Sequence, residues 1–148
     1  MSLEIRRVDD TFAVSPQIEP ADAQALAGAG FKTLICNRPD GEEPGQPSTS
    51  EIGAAAAQAG LAFHFIPVIG RSFTDDVIQA FARVRHAAEE PMLAYCRSGT
   101  RSITLETLAN PAGRSVDERL SRASAAGYDL SGLRSRLGDR NETLGEPE

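Results

Sequence analysis

The chain has 148 residues, of which 41% are hydrophobic and 24% charged, so it is long enough to bury the core of one globular domain. Its net charge of −6 argues against non-specific nucleic-acid binding, and no apolar run is long enough to form a signal peptide or to cross a membrane. It has two cysteines and two histidines, and because neither histidine lies near a cysteine, they predict neither a disulfide framework nor a metal site. We therefore expect a single cytoplasmic domain over residues 1–148 that needs no cofactor.

Strands and helices alternate along the first half of the chain, which predicts α/β layering. The stretch between residues 38 and 47 is a loop because Pro and Gly dominate it. Ser48 and Glu51 have the spacing of a capping box, so a helix begins there and ends before Gly60. The other predicted elements of this half are strands over 11–14, 31–36 and 61–68 and a helix over 20–29.

The same alternation continues in the second half. Thr74 is expected to cap a helix with one apolar face, made of Val77, Phe81, Val84 and Ala88. A short buried strand follows over 91–95, and a helix-like stretch begins at Ser102. The segment 110–113 breaks that helix, a polar helix runs over 115–126, and the chain is expected to fray from about residue 138.

The six residues from Cys96 to Arg101 are the most informative segment, because they join a buried strand to a helix. A glycine-containing turn in that position directs backbone N–H groups and the positive helix end at whatever lies over the sulfur. The same field favours thiolate over thiol, and the thiolate is the nucleophilic form of cysteine. A cysteine at a strand end is ordinarily an inert core residue, but the arginines and hydroxyl residues that follow are foreign to an apolar core. The segment therefore predicts an enzyme that acts on a small oxyanion or an oxyanion-bearing substrate.

Arg38 and the loop after Val68 also follow predicted strands. Ligands of open α/β sheets bind beyond the carboxyl ends of the strands, so these segments are expected to converge with Cys96. Arg38 is then a second anion contact, with a solvated charge at a strand end as the alternative. The other cysteine, Cys36, is interpreted as a buried core thiol, and its alternative role is that of a resolving partner for Cys96.

Three segments carry a family resemblance: Asn-Arg-Pro-Asp-Gly-Glu-Glu at 37–43, Ile-Pro-Val at 66–68 and Ala-Tyr-Cys-Arg-Ser-Gly-Thr-Arg-Ser at 94–102. Through them the chain resembles, from about residue 5 to 133, the phosphatase-like domain family of bacterial β-lactamase hydrolase-like proteins. That resemblance implies a protein tyrosine phosphatase-like fold of the dual-specificity branch, which is an α/β, three-layer fold with a short, mostly parallel sheet flanked by helices. Family members carry both phosphatase and sulfurtransferase labels, and some are fused to sulfide-oxidising or persulfide-handling enzymes.

The resemblance also implies roles for the loop residues. Cys96 matches the phosphatase nucleophile, Arg101 matches the arginine that holds phosphoryl oxygens with a forked pair of bonds, and Ser102 matches the hydroxyl residue that hydrogen-bonds the thiolate. The remaining residues of the implied anion-binding loop are Arg97, Ser98, Gly99 and Thr100.

The chain departs from the phosphatase signature in three places. Tyr95 replaces a histidine, and only four residues, rather than five, separate the loop cysteine from the loop arginine. Ile69 or Gly70 stands where a general-acid aspartate is usual.

Three aspartates, Asp40, Asp75 and Asp76, are candidate substitutes for the missing acid. Asp75 and Asp76 are the nearest, and the predicted site includes Asp76, although both also suit the first turn of an ordinary helix. Asp40, Glu42 and Glu43 lie on a loop that overhangs the predicted pocket or, alternatively, forms a solvated turn.

These departures leave two reactions open. Loss of a positioned acid slows phosphate-ester hydrolysis by about 10²–10⁴, whereas sulfite leaves a sulfur donor without needing a proton. A Cys-x4-Arg loop is also similar to the loop of rhodaneses, which transfer sulfur. We predict a cysteine-dependent phosphatase-like hydrolase, with a rhodanese-like sulfurtransferase as the runner-up and an inactive phosphoanion-binding module as the third alternative.

Overall fold

The computed structural model describes residues 3–138, which fold around one five-stranded sheet. The strands are β1 (Arg6–Asp9), β2 (Phe12–Ser15), β3 (Thr33–Cys36), β4 (Ala62–Phe65) and β5 (Met92–Tyr95). They lie in the order β1-β2-β5-β3-β4, with β1 antiparallel to β2 and every other pair parallel. Because parallel strands end at the same edge of a sheet, β3 and β5 deliver the residues that follow them to one place.

Helices cover both faces of the sheet. They are α1 (Asp22–Gly28), α2 (Thr49–Gln58), α3 (Asp75–Ala87), α4 (Thr100–Ala109) and α5 (Val116–Ala125), followed by a short 3-10 turn (Ser131–Leu133). The buried side chains of α1 and α2 pack on one face, and those of α3, α4 and α5 pack on the other. The predicted three-layer α/β architecture is therefore confirmed. Within residues 3–138, no helix is long and apolar enough to span a membrane.

The two cysteines lie at the ends of neighbouring parallel strands, Cys36 as the last residue of β3 and Cys96 directly after β5. Successive residues of a strand point in opposite directions, so Ala94 packs with α3, α4 and α5, whereas Tyr95 packs with α1 and α2. Cys36 lies beside Tyr95 in that second core, where burial raises the pKa of its thiol. Cys96, the next residue after Tyr95, belongs to neither core, and its sulfur accepts a hydrogen bond from the Gly99 N–H of the loop that follows β5. This geometry disfavours a disulfide between the two cysteines and supports the interpretation of Cys36 as a core thiol.

The local signals in the sequence are confirmed at most helix ends. Ser48 and Glu51 form a reciprocal capping box, and Thr74 caps α3 through its hydroxyl. Strand β1 is not predicted from the sequence, because Arg-Arg-Val-Asp lacks the apolar run of the central strands and forms an edge strand. Helix α4 begins at Thr100, earlier than predicted, since Gly99 takes a φ of 95° and ends the turn there. The predicted frayed tail falls on residues outside the described part of the chain.

A buried ion pair ties α3 to α4. Arg85 donates to Glu106 through Nε (2.7 Å to Oε1) and through Nη2 (3.0 Å to Oε2), and both side chains are less than a tenth exposed. The other donors of Arg85 reach Glu90 and Thr11, and its guanidinium lies 4.7 Å from the ring centroid of Phe12. Because both side chains are almost fully buried, removing one partner leaves the other charge poorly compensated.

We expect Glu106→Gln to lower the free energy of unfolding by about 3 kcal/mol, because Arg85 keeps its buried charge and loses its main counter-charge. Urea denaturation followed by circular dichroism measures the change. Arg83→Gln is the matched control, since Arg83 is an exposed arginine of the same helix, and it should change stability by less than about 0.5 kcal/mol. Equal, small effects of the two substitutions would contradict a stabilising role for the ion pair.

Candidate active site

The loop from Cys96 to Gly99 connects the central strand β5 to the first turn of α4. Cys96 is fully buried, and its Sγ accepts a hydrogen bond from the Gly99 N–H at 3.1 Å. The first N–H groups of a helix have no partner within the helix and lie at its positive end. The sulfur thus lies in a field that favours negative charge, as the order strand, cysteine, glycine turn and helix predicts.

The carbonyls of the loop are held outward by the rest of the protein. The Gln17 N–H donates to the Arg97 carbonyl at 3.3 Å, the Tyr128 hydroxyl donates to the Ser98 carbonyl at 2.8 Å, and the Ile103 N–H donates to the Gly99 carbonyl at 3.0 Å. In a trans peptide the C=O of one residue and the N–H of the next point in opposite directions. The N–H groups of Ser98 and Gly99 therefore point away from those partners, and the Gly99 N–H donates to the sulfur, whereas the Thr100 N–H donates to Ser98 Oγ at 3.4 Å. This is the arrangement of an anion cradle.

The Tyr128 side chain packs against Gly99 of this loop, although it lies about 30 residues further along the chain. A Cβ atom built on Gly99 would collide with the Tyr128 hydroxyl and would also lie 3.4 Å from the Ser15 carbonyl oxygen. The positive φ of Gly99 independently disfavours any other residue. Glycine at this position therefore allows both the turn and the close approach of the tyrosine.

Arg101 is oriented by Glu42. Its Nη1 and Nη2 each donate to one oxygen of the Glu42 carboxylate at 2.8 Å, and Nη1 also donates to the Val68 carbonyl at 2.9 Å. The hydrogen bond with Glu42 is the largest cause of the raised pKa of Arg101, and the Cys96 sulfur also contributes. Glu42 occupies the end of the guanidinium, so the Nε–H and one Nη2–H remain on its other edge. That edge can hold two oxygens of an oxyanion.

Arg38 binds Glu42 from the buried side of the Glu42–Arg101 pair and does not line the cleft. It is 1% exposed, and it donates through Nε to Glu42 at 2.9 Å, through Nη2 to Glu43 at 2.9 Å and through Nη1 to Gln17 at 3.1 Å. The predicted direct contact between Arg38 and a bound anion is therefore not formed in this arrangement, because protein groups use every nitrogen of the guanidinium. Arg38 acts on the site through Glu42.

The two arginines keep Glu42 ionised. The hydrogen bond with Arg101, followed by that with Arg38, holds the pKa of Glu42 down at about 2, although burial opposes the shift. A carboxyl group with such a pKa carries no proton at neutral pH. Glu42 is thus a positioning residue for Arg101, and its charge excludes it as the missing general acid.

Ser102 and Asn37 form a second link, between the first turn of α4 and the end of β3. The Ser102 hydroxyl donates to Asn37 Oδ1 at 2.8 Å, and the Asn37 side-chain amide donates to the Ile66 carbonyl at 2.8 Å, which fixes the orientation of that amide. A hydroxyl has one proton, so Ser102 has to turn away from Asn37 before it can donate to the Cys96 thiolate. Among the described residues, no group of three His, Cys, Asp or Glu side chains could hold a metal ion.

A cleft of about 820 Å³ opens beside the loop. Its lining includes four residues of the predicted site, Arg97, Ser98, Thr100 and Arg101, together with Glu42, whereas Cys96, Gly99 and Ser102 lie behind this lining. A second cleft, of about 1140 Å³, lies at the opposite end of the sheet and includes none of these residues.

The structure does not bring Asp76 to the cleft. Asp76 is exposed in the first turn of α3, where the cap at Thr74 and the helix dipole account for an acidic residue. Ile69, at the position of the usual acid, is 74% exposed, and the adjacent Gly70 lines the cleft. Neither Ile69 nor Gly70 has a side chain that can donate a proton.

The sequence does not predict the contacts of several residues of the site. Gln17 and Tyr128 hold the loop carbonyls, and neither lies in a motif that predicts the contact. Asn37 lies within the segment 37–43, but its hydrogen bond with Ser102 joins residues 65 positions apart. Glu42 lies within a recognisable segment, but its pairing with Arg101 joins residues 59 positions apart. Only the folded chain reveals these contacts.

The comparisons with known proteins agree with this geometry. The family model described as "Beta-lactamase hydrolase-like protein, phosphatase-like domain" matches residues 4–113. A β-lactamase hydrolase-like protein of Agrobacterium fabrum is 40% identical over 130 residues, which are 84% of this chain and 29% of that protein. A crystal structure of a candidate phosphatase from Neisseria meningitidis is 42% identical and has a TM-score of 0.80, covering 91% of this chain and 96% of that chain. The crystal structure of Tk-PTP in its active form, 19% identical with a TM-score of 0.68, covers 95% of this chain and 97% of its own.

These matches confirm the protein tyrosine phosphatase-like fold. The chain spans about three-tenths of the length of the curated relative from Agrobacterium. The family model ends at residue 113, yet Tyr128 binds the loop and Leu130 lines the cleft. The segment after α5 thus completes the site beyond the region that the family model matches.

Tyr128→Phe removes the hydroxyl that holds the Ser98 carbonyl outward. We expect the affinity for inorganic phosphate to fall about fivefold, which corresponds to the loss of one hydrogen bond of about 1 kcal/mol. Titration calorimetry with phosphate measures the affinity, and thermal unfolding checks that the fold is retained. Unchanged phosphate affinity in a folded Tyr128→Phe variant would contradict a positioning role for the hydroxyl.

Proposed function

Because this chain belongs to the phosphatase-like domain family of β-lactamase hydrolase-like proteins, we propose that it is a cysteine-dependent phosphatase-like hydrolase. The Cys96 thiolate attacks the phosphorus atom, and the bond from phosphorus to the leaving oxygen breaks. Water then attacks the phosphorus of the phosphocysteine, so that inorganic phosphate is released and the thiolate is restored. The substrate is a small phosphoanion or a phosphorylated molecule.

One observation carries this proposal: Arg101 turns an edge that Glu42 does not occupy to the Cys96 sulfur, which lies at the positive end of α4. The fork with Glu42 uses the end of the guanidinium and leaves the Nε–H and one Nη2–H for the phosphoryl oxygens. The N–H groups of the loop other than those of Gly99 and Thr100, which donate to Cys96 Sγ and Ser98 Oγ, supply further donors. Charge that develops on the phosphoryl oxygens is therefore met by donors that are already in position, which is the main source of rate enhancement in phosphoryl transfer.

Cys96→Ser should abolish hydrolysis of p-nitrophenyl phosphate, because a serine hydroxyl in this site is not ionised at neutral pH. Cys36→Ser is the matched control, since its hydroxyl can donate to the Arg38 carbonyl as the Cys36 thiol does at 3.3 Å. It should retain most of the activity. Release of p-nitrophenol measures both variants. A Cys96→Ser protein as active as the wild type would refute the proposed nucleophile.

Arg101→Lys should lower the affinity for inorganic phosphate by about tenfold or more, because a lysine ammonium cannot hold Glu42 and an oxyanion with two separate edges. Arg97→Lys should have a smaller effect. The Arg97 side chain is 69% exposed, and its contact with Glu43 is 3.8 Å long. Titration calorimetry with phosphate compares the two lysine variants, and the reverse order of effects would exchange the roles of the two arginines.

Sulfur transfer is a second candidate function, and the short loop of the Cys-x4-Arg segment favours it. In that reaction the Cys96 thiolate attacks the outer sulfur of thiosulfate, the S–S bond breaks, and sulfite leaves with the electron pair. Cyanide then removes the sulfur from the Cys96 persulfide as thiocyanate. Both reactions need the same thiolate and the same oxyanion donors, so they differ only in the electrophile.

A side-by-side assay separates the two reactions. The wild-type protein is given p-nitrophenyl phosphate in one arm and thiosulfate with cyanide in the other, and mass spectrometry determines what is bound to Cys96. Turnover of the aryl phosphate supports the hydrolase. A persulfide on Cys96 without any aryl-phosphate turnover would establish the sulfurtransferase instead, and the absence of both activities would leave an inactive phosphoanion-binding module.

A further inference from the structure

The cleft beside the loop is much larger than one phosphate needs. Its volume of about 820 Å³ lies in the range of sites for organic ligands. One wall is apolar and is formed by Phe73, Leu130 and Leu133, which come from the loop before α3 and from the segment after α5. The cleft therefore has room for an organic group beside a phosphoryl group at the loop.

The carboxylates of the cleft do not supply a proton. The described residues of its lining include two carboxylates, Glu42 and Asp129. Glu42 is ionised by its two arginines. Asp129 accepts hydrogen bonds from the Ser131 side chain and from the Ser131 N–H, at 3.0 Å for the latter, and these bonds lower the pKa of its carboxyl. A leaving group in this cleft has to depart without protonation.

The cleft offers positive charge in place of a proton. Arg71 follows β4 and lines the cleft, and its guanidinium makes no hydrogen bond or ion pair with any described residue. Arg97 lines the same cleft from the loop, and its one ion pair within the described chain is the long contact with Glu43 at 3.8 Å. Two arginines on the rim are thus available to a second anionic group, while Arg101 and the loop hold the first.

We propose that the substrate of this site is an organic phosphoanhydride, whose terminal phosphoryl group binds at the Cys96 loop and whose second phosphate is held by Arg71 and Arg97. This inference rests on the proposed hydrolase function. The Cys96 thiolate attacks the terminal phosphorus, the bond to the bridging oxygen breaks, and its electron pair stays on that oxygen. The leaving group is then a phosphate monoester, whose second pKa is about 6, so it departs as an anion without a proton. Water releases orthophosphate from Cys96, and its proton passes to solvent.

A monoester of an alkyl alcohol is the opposite case. Its leaving group is a strongly basic alkoxide, which needs a positioned acid, and the absence of that acid costs about 10²–10⁴ in rate. An alkyl diphosphate and the corresponding alkyl phosphate share the organic group and differ in the leaving group. The pair therefore tests the inference directly.

The experiment compares n-butyl diphosphate with n-butyl phosphate, with phosphorus NMR as the readout and p-nitrophenyl phosphate as the reference substrate. We expect kcat/KM for the diphosphate to exceed that for the monophosphate by about 10² or more. The rate with the diphosphate should also show no descending limb from a carboxylic acid between about pH 5 and 8, because both cleft carboxylates are already ionised.

Substitution of the two arginines tests their role. Arg71→Gln and Arg97→Gln should each lower kcat/KM for the diphosphate about tenfold and should lower it less for p-nitrophenyl phosphate, whose leaving group carries a single, delocalised charge. Arg83→Gln is the control, because Arg83 is exposed and lies at the other cleft, and it should leave both rates unchanged. Equal losses on both substrates would overturn the assignment of the arginines to the second phosphate.

The outcomes distinguish this inference from the proposed function. Turnover of p-nitrophenyl phosphate with equal rates for butyl diphosphate and butyl phosphate would overturn the inference and leave the hydrolase intact. A protein that hydrolyses none of the three phosphates and forms a persulfide on Cys96 would overturn the proposed function and the inference together.

Discussion

The Glu42 carboxylate is the interaction on which the geometry of the site depends. It binds two arginines with different surroundings, Arg38 in the core and Arg101 at the edge of the cleft. A buried guanidinium needs a counter-charge, so Arg38 holds Glu42 where the fold requires it, and Glu42 in turn holds the end of Arg101. Because folding lowers the pKa of Glu42, its ionised carboxylate contributes fully to the free energy of unfolding above the unfolded pKa of about 4.3. That contribution is lost as the pH falls towards 2. The orientation of Arg101 is therefore constant across the pH range of ordinary enzyme activity.

The anion loop depends on contacts from both ends of the chain. Gln17 follows β2 and Tyr128 follows α5, and each holds one carbonyl of the loop. An isolated strand–loop–helix segment would lack both donors, and its peptide planes could turn either way. The fold thus fixes the N–H groups before an anion arrives, and donors that need no reorganisation are the effective ones in catalysis. This requirement explains why a segment beyond the family model is part of the site.

Sequence reasoning succeeds where the signal is local. The helix caps at Ser48 and Thr74 and the strand before Cys96 depend on neighbouring residues, and the structure has them as expected. It fails where a residue's role depends on distant partners. Arg38 follows a strand at the correct edge of the sheet, but its burial and its carboxylate partners depend on the path of the following loop. Tyr128 has no local feature that separates it from any other tyrosine after a helix.

The donors of the site favour an electrophile with several oxygens. One loop amide, that of Gly99, is already bonded to the sulfur. The second edge of the Arg101 guanidinium and the N–H groups of Arg101 and Ser102, in the first turn of α4, remain for an anion, whereas the Thr100 N–H donates to Ser98 Oγ. A phosphoryl group in transfer spreads its charge over three equatorial oxygens and can use all of these donors. The length of the loop alone favours sulfur transfer. The outer sulfur of a sulfur donor, however, carries no oxygen of its own, so most of these hydrogen-bond donors would be left to the departing sulfite. The set of donors therefore agrees better with phosphoryl transfer.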